Sequence, residues 1–375
     1  MRTTITLLAL LLLATTANSQ IEATIDINGE SRSYTYFVPL TMPPQPPALV
    51  FVLHGATQTG QGIMDISQMN DIANANNFIA VYPDGVGNSW NVGLTTGGST
   101  ADDIAFIEAL VALFAAEFSI DQTKVYSCGF SAGGYMSHRL ACESSVCFAA
   151  IASVAGAIAE SALTNCSPQY SPSVMQIHGT SDIIVSYNGS AISGISVDDI
   201  IAAWLSNNNC NTTPVIEDIP NTSLIDLSTV QRYTYEPCDE SSVVELLKID
   251  GGGHQWPGTD ALFGGLGNIN RDIDASQEIW NFFSQFQCPS DVSTEEIAIE
   301  NNISIFPNPA TDVVNIQFAN GQQPENIIIY NSQGQIVFQQ NVPQDQTKIQ
   351  ISTAALAPGV YFIKDAAVRL VVADF

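Results

Sequence analysis

Ser131 stands where its neighbours would let it act as a nucleophile. The segment Lys124-Val125-Tyr126-Ser127-Cys128-Gly129-Phe130-Ser131-Ala132-Gly133-Gly134-Tyr135 carries a short apolar run through Gly-x-Ser-x-Gly into a stretch, Tyr135 to Ala141, that suits a helix. This is the sequence form of a nucleophile elbow. Glycine on either side removes the side chains that would obstruct a sharp, strained strand-to-helix turn, leaving the hydroxyl exposed above a sheet edge. The chemistry implied is attack of a serine oxygen on a carbonyl carbon. The alternative is a serine in an ordinary glycine-rich turn.

A serine hydroxyl is a weak nucleophile until a base takes its proton. The chain has four histidines, His54, His138, His178 and His254, so the base can be sought by elimination. In the α/β-hydrolase arrangement the order along the chain is Ser, then acid, then His. His54 precedes Ser131. His138 falls two turns into the helix that begins at the elbow and would point away from the strand ends. His178 sits at a strand tip, in Val174-Met175-Gln176-Ile177-His178-Gly179-Thr180-Ser181-Asp182, ahead of the best acid. His254 remains, in the loop Gly251-Gly252-Gly253-His254-Gln255-Trp256-Pro257-Gly258 that follows the apolar run Val243 to Ile249. Loops on a rigid scaffold are where catalytic side chains are usually mounted. A turn histidine stacked on Trp256 is the other reading.

Asp182 is the preferred acid, because it follows a strand end by a short turn and would place a carboxylate against one imidazole nitrogen of His254. There it would select the tautomer and stabilise the imidazolium. An Asx-turn or helix-capping role is the alternative. Asp198 and Asp199 come next but read as the first turn of a helix through Leu205, where acids favour the N-terminus without any catalysis. Charge developing on the carbonyl oxygen calls for two preorganised N–H donors. One is expected from Ala132, directly after the nucleophile. The second is expected from Ala56, in His54-Gly55-Ala56-Thr57-Gln58 after the strand Leu49 to Leu53. Trp90 and Trp256 are candidates to line the cleft, offering flat faces to a phenolic acid, a sugar or a polyester repeat; packing in the core or at the rim is the alternative.

These groups need elements to hold them. Between Ile21 and Pro289 strands alternate with helices: Leu49 to Leu53, Phe78 to Tyr82, Val125 to Cys128, Val174 to His178 and Val243 to Ile249 read as strands. Asp102 to Phe118 reads as an amphipathic helix with Ile104, Ile107, Leu110, Val111 and Phe114 on one side, and Asp102 and Asp103 as its starting acids. Such alternation implies a mostly parallel sheet covered on both faces. Near Cys288-Pro289-Ser290-Asp291 the periodicity stops and small polar and acidic residues take over, as in a linker. Short alternating strands then follow, Val313 to Phe318, Ile327 to Tyr330, Ile336 to Gln339 and Val360 to Ile363, which suit a small β-sandwich. That half holds no histidine or cysteine, so it offers no imidazole base for this chemistry.

The blocks Leu53-His54-Gly55-Ala56-Thr57-Gln58, Tyr82-Pro83-Asp84-Gly85, Gly129-Phe130-Ser131-Ala132-Gly133-Gly134, His178-Gly179-Thr180-Ser181-Asp182 and Gly252-Gly253-His254-Gln255-Trp256-Pro257-Gly258 together resemble the extracellular polyhydroxybutyrate depolymerase and feruloyl esterase group, which includes much of carbohydrate esterase family 1. The resemblance implies an α/β-hydrolase fold, Ser131 as nucleophile, Asp182 as acid, His254 as base, and Ala56 with Ala132 as oxyanion donors. It also implies a Cys210–Cys238 disulfide. Ala56 departs from the Cys often found there, and a backbone donor tolerates the change. The tail resembles the C-terminal sorting domain of the type IX secretion system in Bacteroidota, through Phe306-Pro307-Asn308-Pro309-Ala310, Tyr330-Asn331-Ser332-Gln333-Gly334 and Gly359-Val360-Tyr361-Phe362. A carbohydrate-binding sandwich is the competing reading, but no Trp follows Trp280.

The expected organisation is a signal peptide over 1–19, a hydrolase domain over 20–288, a linker over 289–302 and a sorting domain over 303–375. The first segment rests on a positive start, the apolar run Ile5 to Ala14 and the small residues before Gln20. It is too short for a membrane span. A formal net charge of −27 disfavours nucleic acid and anionic membranes as partners. Seven cysteines suit an oxidising compartment and leave one over. Cys142 with Cys147 could close a small loop, and Cys128 suits the core. No metal-ligand spacing is present and no cofactor is expected. The expected partners are an ester substrate and the secretion machinery. The function expected is a secreted serine ester hydrolase of the feruloyl or acetyl-xylan kind. The alternatives are a polyester depolymerase and a non-catalytic surface adhesin on the same scaffold.

Overall fold

The computed structural model describes residues 19–27, 29–42, 45–94, 98–260, 266–289, 303–308, 310–318, 326–331, 336–343, 346–354, 356, 359–363 and 369–372. The chain divides into two compact units, Met1–Ser290 and Asp291–Phe375. The leader expected over 1–19 and the linker expected over 289–302 lie almost wholly outside the described residues.

In the first unit a β-hairpin of β1 (Ser19–Ile27) and β2 (Glu30–Val38) leads into β3 (Leu49–Leu53), α1 (Gly60–Ser67), α2 (Met69–Asn76), β4 (Ile79–Pro83) and α3 (Asp103–Phe118). Then come β5 (Val125–Phe130), α4 (Ala132–Glu143), β6 (Ala150–Val154), α5 (Glu160–Thr164), β7 (Ser173–Gly179) and α6 (Val197–Asn207). The unit closes with β8 (Val215–Asp218), β9 (Thr229–Tyr235), β10 (Val244–Asp250) and α7 (Ala275–Phe283). The strands form one ten-stranded sheet in the order β1-β2-β4-β3-β5-β6-β7-β10-β9-β8. Strands β4, β3, β5, β6, β7 and β10 run parallel, with antiparallel pairs added at either edge. This is the α/β-hydrolase architecture expected from the sequence.

The central strands are near-continuous apolar runs because both faces are covered. In β3, Leu49, Phe51 and Leu53 face one core with α3, α4 and α6, while Val50 and Val52 face a second core with α1, α2 and α7. Helix α3 buries Phe106, Ile107, Leu110, Val111 and Phe114, so Phe106 takes the inward place expected for Ile104, which is half-buried. Because the central strands are parallel, the loops after β3, β4, β5, β6, β7 and β10 all emerge at one carboxyl edge, the side on which such sheets hold their ligands.

Disulfides join Cys142 to Cys166, Cys147 to Cys288 and Cys210 to Cys238. The pairing expected for Cys142 with Cys147 is corrected: Cys142 and Cys166 belong to the core on one face of the sheet, and Cys147 and Cys288 to the core on the other. The Cys147–Cys288 link spans 141 residues, and a loop of that length contributes about 5 kcal/mol in the chain-entropy account. Cys128 is free and buried, and burial pushes its thiol up to a range where it stays protonated.

The second unit is all-β. Strands β11 (Ile303–Phe306), β12 (Val313–Phe318) and β15 (Lys348–Ser352) make one antiparallel sheet. Strands β13 (Asn326–Tyr330), β14 (Ile336–Asn341), β16 (Gly359–Ile363) and β17 (Arg369–Val372) make the other. Alternate residues Val314, Ile316, Ile349 and Ile351 of one sheet share a core with Ile327, Ile329, Tyr361 and Ile363 of the other, as in a small sandwich.

Candidate active site

Strand β5 ends at Phe130, and Ser131 turns the chain into α4 with φ 53° and ψ −118°. A non-glycine residue at positive φ outside the left-handed well costs roughly 1–3 kcal/mol and persists only where its surroundings over-determine it. Here they do. The Ser131 N–H donates to the Val154 carbonyl at 2.8 Å, and its own carbonyl accepts from Gly134 N–H at 2.8 Å. A Cβ at Gly133 would lie 2.1 Å from Leu53 O and 2.9 Å from His54 O, so only glycine lets the elbow press against the end of β3. The loop that carries Ala56 therefore adjoins the loop that carries Ser131.

Asp182 and His254 arrive from the loops after β7 and β10. Nδ1 of His254 lies 2.7 Å from Asp182 Oδ2, and both residues are buried. A carboxylate only accepts, so Nδ1 carries the hydrogen and Nε2 keeps its lone pair, the arrangement of a general base. The second carboxylate oxygen, Oδ1, accepts N–H bonds from Ile184 and Val185 at 2.8 Å each, which fixes the carboxylate plane. His254 is seated by its N–H bond to Leu266 O at 2.7 Å, and its ring lies 4.9 Å, centroid to centroid, from Phe130, the residue before Ser131. Asp198 instead accepts from the Tyr187 hydroxyl, and Asp199 belongs to the capping of α6 by Ser196.

Ala132 is the first residue of α4, where the N–H points along the positive end of the helix dipole. Ala56 occupies the turn after β3 and is exposed. Among the described residues, neither N–H donates to a protein acceptor.

Three histidines that elimination set aside are buried and neutral, and each has its nitrogens engaged. His138 accepts from Trp204 Nε1–H at 3.1 Å, so its Nε2–H faces Gln176 Oε1 at 3.1 Å. Gln176 passes the order on: its amide nitrogen donates to Gly156 O at 2.8 Å and meets His178 Nδ1 at 3.0 Å. His178 Nε2–H is left to donate to Val185 O at 2.8 Å, and Val185 N–H holds Asp182. A chain of hydrogen bonds thus runs from α6 to the carboxylate beside His254. Burial pushes the pKa of His138 down to about 4 and lowers that of His178 and His54. No signal in the sequence marked this chain beyond the recurrence of His-Gly at two strand ends, Leu53-His54-Gly55 and Ile177-His178-Gly179.

Two expectations change here. Trp90 and Trp256 are each only 1 % exposed, so neither offers an open face to a substrate. Trp90 lies under the Ala56 loop, with Nε1–H donating to His54 O at 2.9 Å, and Trp256 reaches Ser276 Oγ of α7 at 3.2 Å. Both indoles need a partner for the ring N–H when buried, and the loop backbone and α7 supply one. Asp103 is more than a starting acid. Asp102 caps α3, whereas Asp103 is buried in an ion pair with Arg32 at 2.7 Å and accepts Asn91 N–H at 2.7 Å, tying the segment after β4 to β2. Sequence could not show this pair, since its members lie 71 residues apart.

On the same edge a cavity of about 490 Å³ lies between the loops after β4, β6 and β7. It is lined by Leu94, Ala159, Glu160, Thr164, Ser190 and Ile195 among others, a mixture of apolar and hydroxyl-bearing side chains. Among the described residues there is no cluster of side chains suited to a metal ion and no helix long and apolar enough to cross a membrane.

Residues 32–201 match the family described as Esterase PHB depolymerase, and residues 304–370 match the Secretion system C-terminal sorting domain. The chain is 25% identical over 276 residues to a bifunctional acetylxylan esterase/xylanase of Neocallimastix patriciarum, covering 71% of this chain and 35% of the relative. It is 26% identical over 276 residues to feruloyl esterase D of Neurospora crassa, covering 70% and 85%. It is 26% identical over 225 residues to feruloyl esterase B of Piromyces equi, covering 56% and 37%. The chain thus spans little more than a third of two of these relatives. Among solved structures it is similar to the acetyl xylan esterase from Aspergillus awamori, with a TM-score of 0.49 and 17% identity over 70% of this chain and 99% of that one.

Proposed function

We propose that this chain, which carries an Esterase PHB depolymerase domain and a secretion system sorting domain and whose relatives are named esterases, is an exported serine ester hydrolase with Ser131, His254 and Asp182 as its catalytic triad. The observation that carries the reading is the buried Asp182–His254 contact at 2.7 Å, set beside a serine held at φ 53° between a strand and a helix. In this reading residues 20–288 are the catalytic domain and 303–375 the exported tail, with 1–19 removed.

His254 Nε2 takes the Ser131 proton as Oγ attacks the ester carbonyl. Asp182 holds the ring in the tautomer that makes this possible and stabilises the imidazolium that results. The N–H groups of Ala56 and Ala132 receive the oxygen as it becomes negative, a contribution typically worth 10²–10³ in rate per donor. The imidazolium then protonates the leaving alcohol, which departs and leaves an acyl-Ser131. A water activated by His254 hydrolyses this intermediate and returns the enzyme.

For the substrate, two names among the relatives, feruloyl and acetylxylan esterase, favour polysaccharide-linked esters. The family description favours a second reading, a polyester. Hydrolysis of p-nitrophenyl acetate by the parent, lost in Ser131→Ala, tests the mechanism, and an inactive parent would leave the adhesin reading. Methyl ferulate and acetylated xylan set against clearing of a polyhydroxybutyrate suspension separate the substrates.

A further inference from the structure

The direction in which the Ala56 N–H points is decided by its peptide plane, and that plane is held from behind by His54. The Gly55–Ala56 bond is trans, so the Gly55 carbonyl and the Ala56 N–H lie on opposite sides of it. The Gly55 carbonyl lies 2.7 Å from His54 Nδ1 and also accepts from Gln58 N–H at 3.2 Å. His54 is 0 % exposed, so this carbonyl is turned into the protein and the Ala56 N–H is turned out of it, at an exposed residue.

The tautomer of His54 follows from its other nitrogen. Gly85 N–H, which can only donate, points at Nε2 from 2.9 Å. Nε2 therefore offers its lone pair, and Nδ1 carries the hydrogen that holds Gly55 O. The remaining polar groups of the turn are engaged as well. Gly55 N–H donates to Gln58 Oε1 at 2.8 Å, Thr57 N–H to Asn88 O at 2.8 Å and Trp90 Nε1–H to His54 O at 2.9 Å. A Cβ on Gly55 would lie 3.2 Å from the Phe130 ring, which sets this peptide beside the residue that precedes Ser131. The groups bearing on the imidazole are the Gly55 carbonyl, the carboxylates of Asp84 and Asp103, and the Trp90 ring, tilted against it with centroids 4.8 Å apart.

We infer that His54 is a positioning residue: as the neutral Nδ1–H tautomer, clamped by Gly85 N–H, it locks the Gly55–Ala56 peptide with the Ala56 N–H facing the substrate oxygen. The inference rests on the ester hydrolase reading above. If the clamp were lost, the Gly55 carbonyl would be free to turn and present an acceptor where the reaction needs a donor.

Two substitutions separate the lock from general support. In His54→Asn the side-chain amide nitrogen takes the place of Nδ1 and can still donate to Gly55 O. In His54→Gln the amide reaches the place of Nε2 and leaves Gly55 O without that donor. With p-nitrophenyl acetate, His54→Gln is expected to lose about 10²-fold in kcat with KM nearly unchanged, the size of one missing oxyanion donor. Its affinity for phenylboronic acid, which forms a tetrahedral anion on the serine, should fall by a similar factor. His54→Asn should recover most of both. Equal losses in the two variants, or a loss confined to KM, would overturn the inference.

A measurement on the parent needs no variant to fold. The ¹⁵N shifts of the His54 imidazole should show a protonated Nδ1 and an unprotonated Nε2 at neutral pH, and the opposite tautomer would overturn the lock. A parent that shows this tautomer but cleaves no ester would instead sink the hydrolase reading, so the two failures are distinguishable.

Discussion

Two strands of the sheet end in the same dipeptide and do different things with it. After β3, His54 holds the carbonyl of its immediate neighbour Gly55 through Nδ1. At the end of β7, His178 reaches seven residues onward and holds Val185 O through Nε2, with Val185 N–H closing onto Asp182. In both, a backbone or side-chain N–H fixes the tautomer from the far nitrogen: Gly85 for His54, Gln176 for His178. In both, the glycine that follows lets another chain segment approach: a Cβ at Gly55 would lie 3.2 Å from the Phe130 ring, and one at Gly179 would lie 2.2 Å from Gly252 O. The first loop aims a backbone donor and the second aims a carboxylate. A buried neutral histidine serves either purpose because it donates on one side and accepts on the other at a set angle, and cannot exchange these roles while its partners stay in place.

The largest effects should come from the groups both loops serve. Ser131→Ala or His254→Ala should lower kcat for p-nitrophenyl acetate by about 10⁶-fold, with residual activity from the oxyanion site. Asp182→Asn should lose about 10⁴-fold, since an amide can hold the ring in the wrong tautomer. A Ser131→Ala protein that still cleaved the ester at parental rate would remove the elbow from the chemistry altogether. Next in size is the acid loop. His178→Asn shortens the side chain, withdraws the donor from Val185 O and lets the Asp182 turn relax, and a misplacement of about 1 Å costs up to 10²-fold. His178→Gln keeps an amide donor near Nε2 and should lose less. If both variants behave alike in kcat, His178 packs the turn but does not aim it.

Acid should weaken both loops together, through stability. A histidine whose folded pKa is depressed contributes in full above its unfolded value and loses that contribution as pH falls towards the folded one. For His138 the window runs from 6.5 down to about 4, equivalent to about 3 kcal/mol. His54 and His178 act in the same direction. Glu245 acts oppositely: burial, offset in part by Arg232, pushes its carboxyl up to about 7, so lowering pH through 7 towards 4.5 relieves a buried charge. Denaturant midpoints taken from pH 7 to pH 4.5 should therefore fall less steeply in His138→Gln than in the parent, and more steeply in Glu245→Gln. A His138→Gln curve parallel to the parent's would show that the histidine is not buried as a neutral group.

Some of this was legible in the chain itself. The central strands announce themselves as unbroken apolar runs, since a strand covered on both faces has no polar side, and the tail's alternation announces a sandwich for the opposite reason. Ser131 is marked by glycines, and the order Ser, acid, His leads to the two side chains found 2.7 Å apart. Depth and face were not legible. Cys142 and Cys147 are close in sequence yet lie on opposite faces of the sheet, and Arg32 meets Asp103 only because β2 lies near the start of α3. Trp256 stands two residues from His254 and Trp90 in a loop at the same sheet edge, and a place in a loop says nothing of whether a ring faces out or in. The chain from Trp204 to Asp182 draws on α6, α4, β7 and the loop beyond, so no local pattern contains it.

The smallest expected effect bears most directly on how the first loop is held. Trp90→Phe keeps the ring against His54 and removes one donor, leaving His54 O without the bond it now receives at 2.9 Å. A buried carbonyl deprived of its donor costs about 1–3 kcal/mol, which unfolding in denaturant should register. Catalysis should change far less, because Gly85 N–H and the Gly55 carbonyl still fix both nitrogens of the imidazole. A loss of only a few-fold in kcat with KM for methyl ferulate unchanged is the outcome expected of a support beneath the loop. Should KM for the aromatic ester rise while stability and kcat hold, the indole would be a substrate platform after all, and the first loop would be aimed by its contact with the substrate instead of by the histidine behind it.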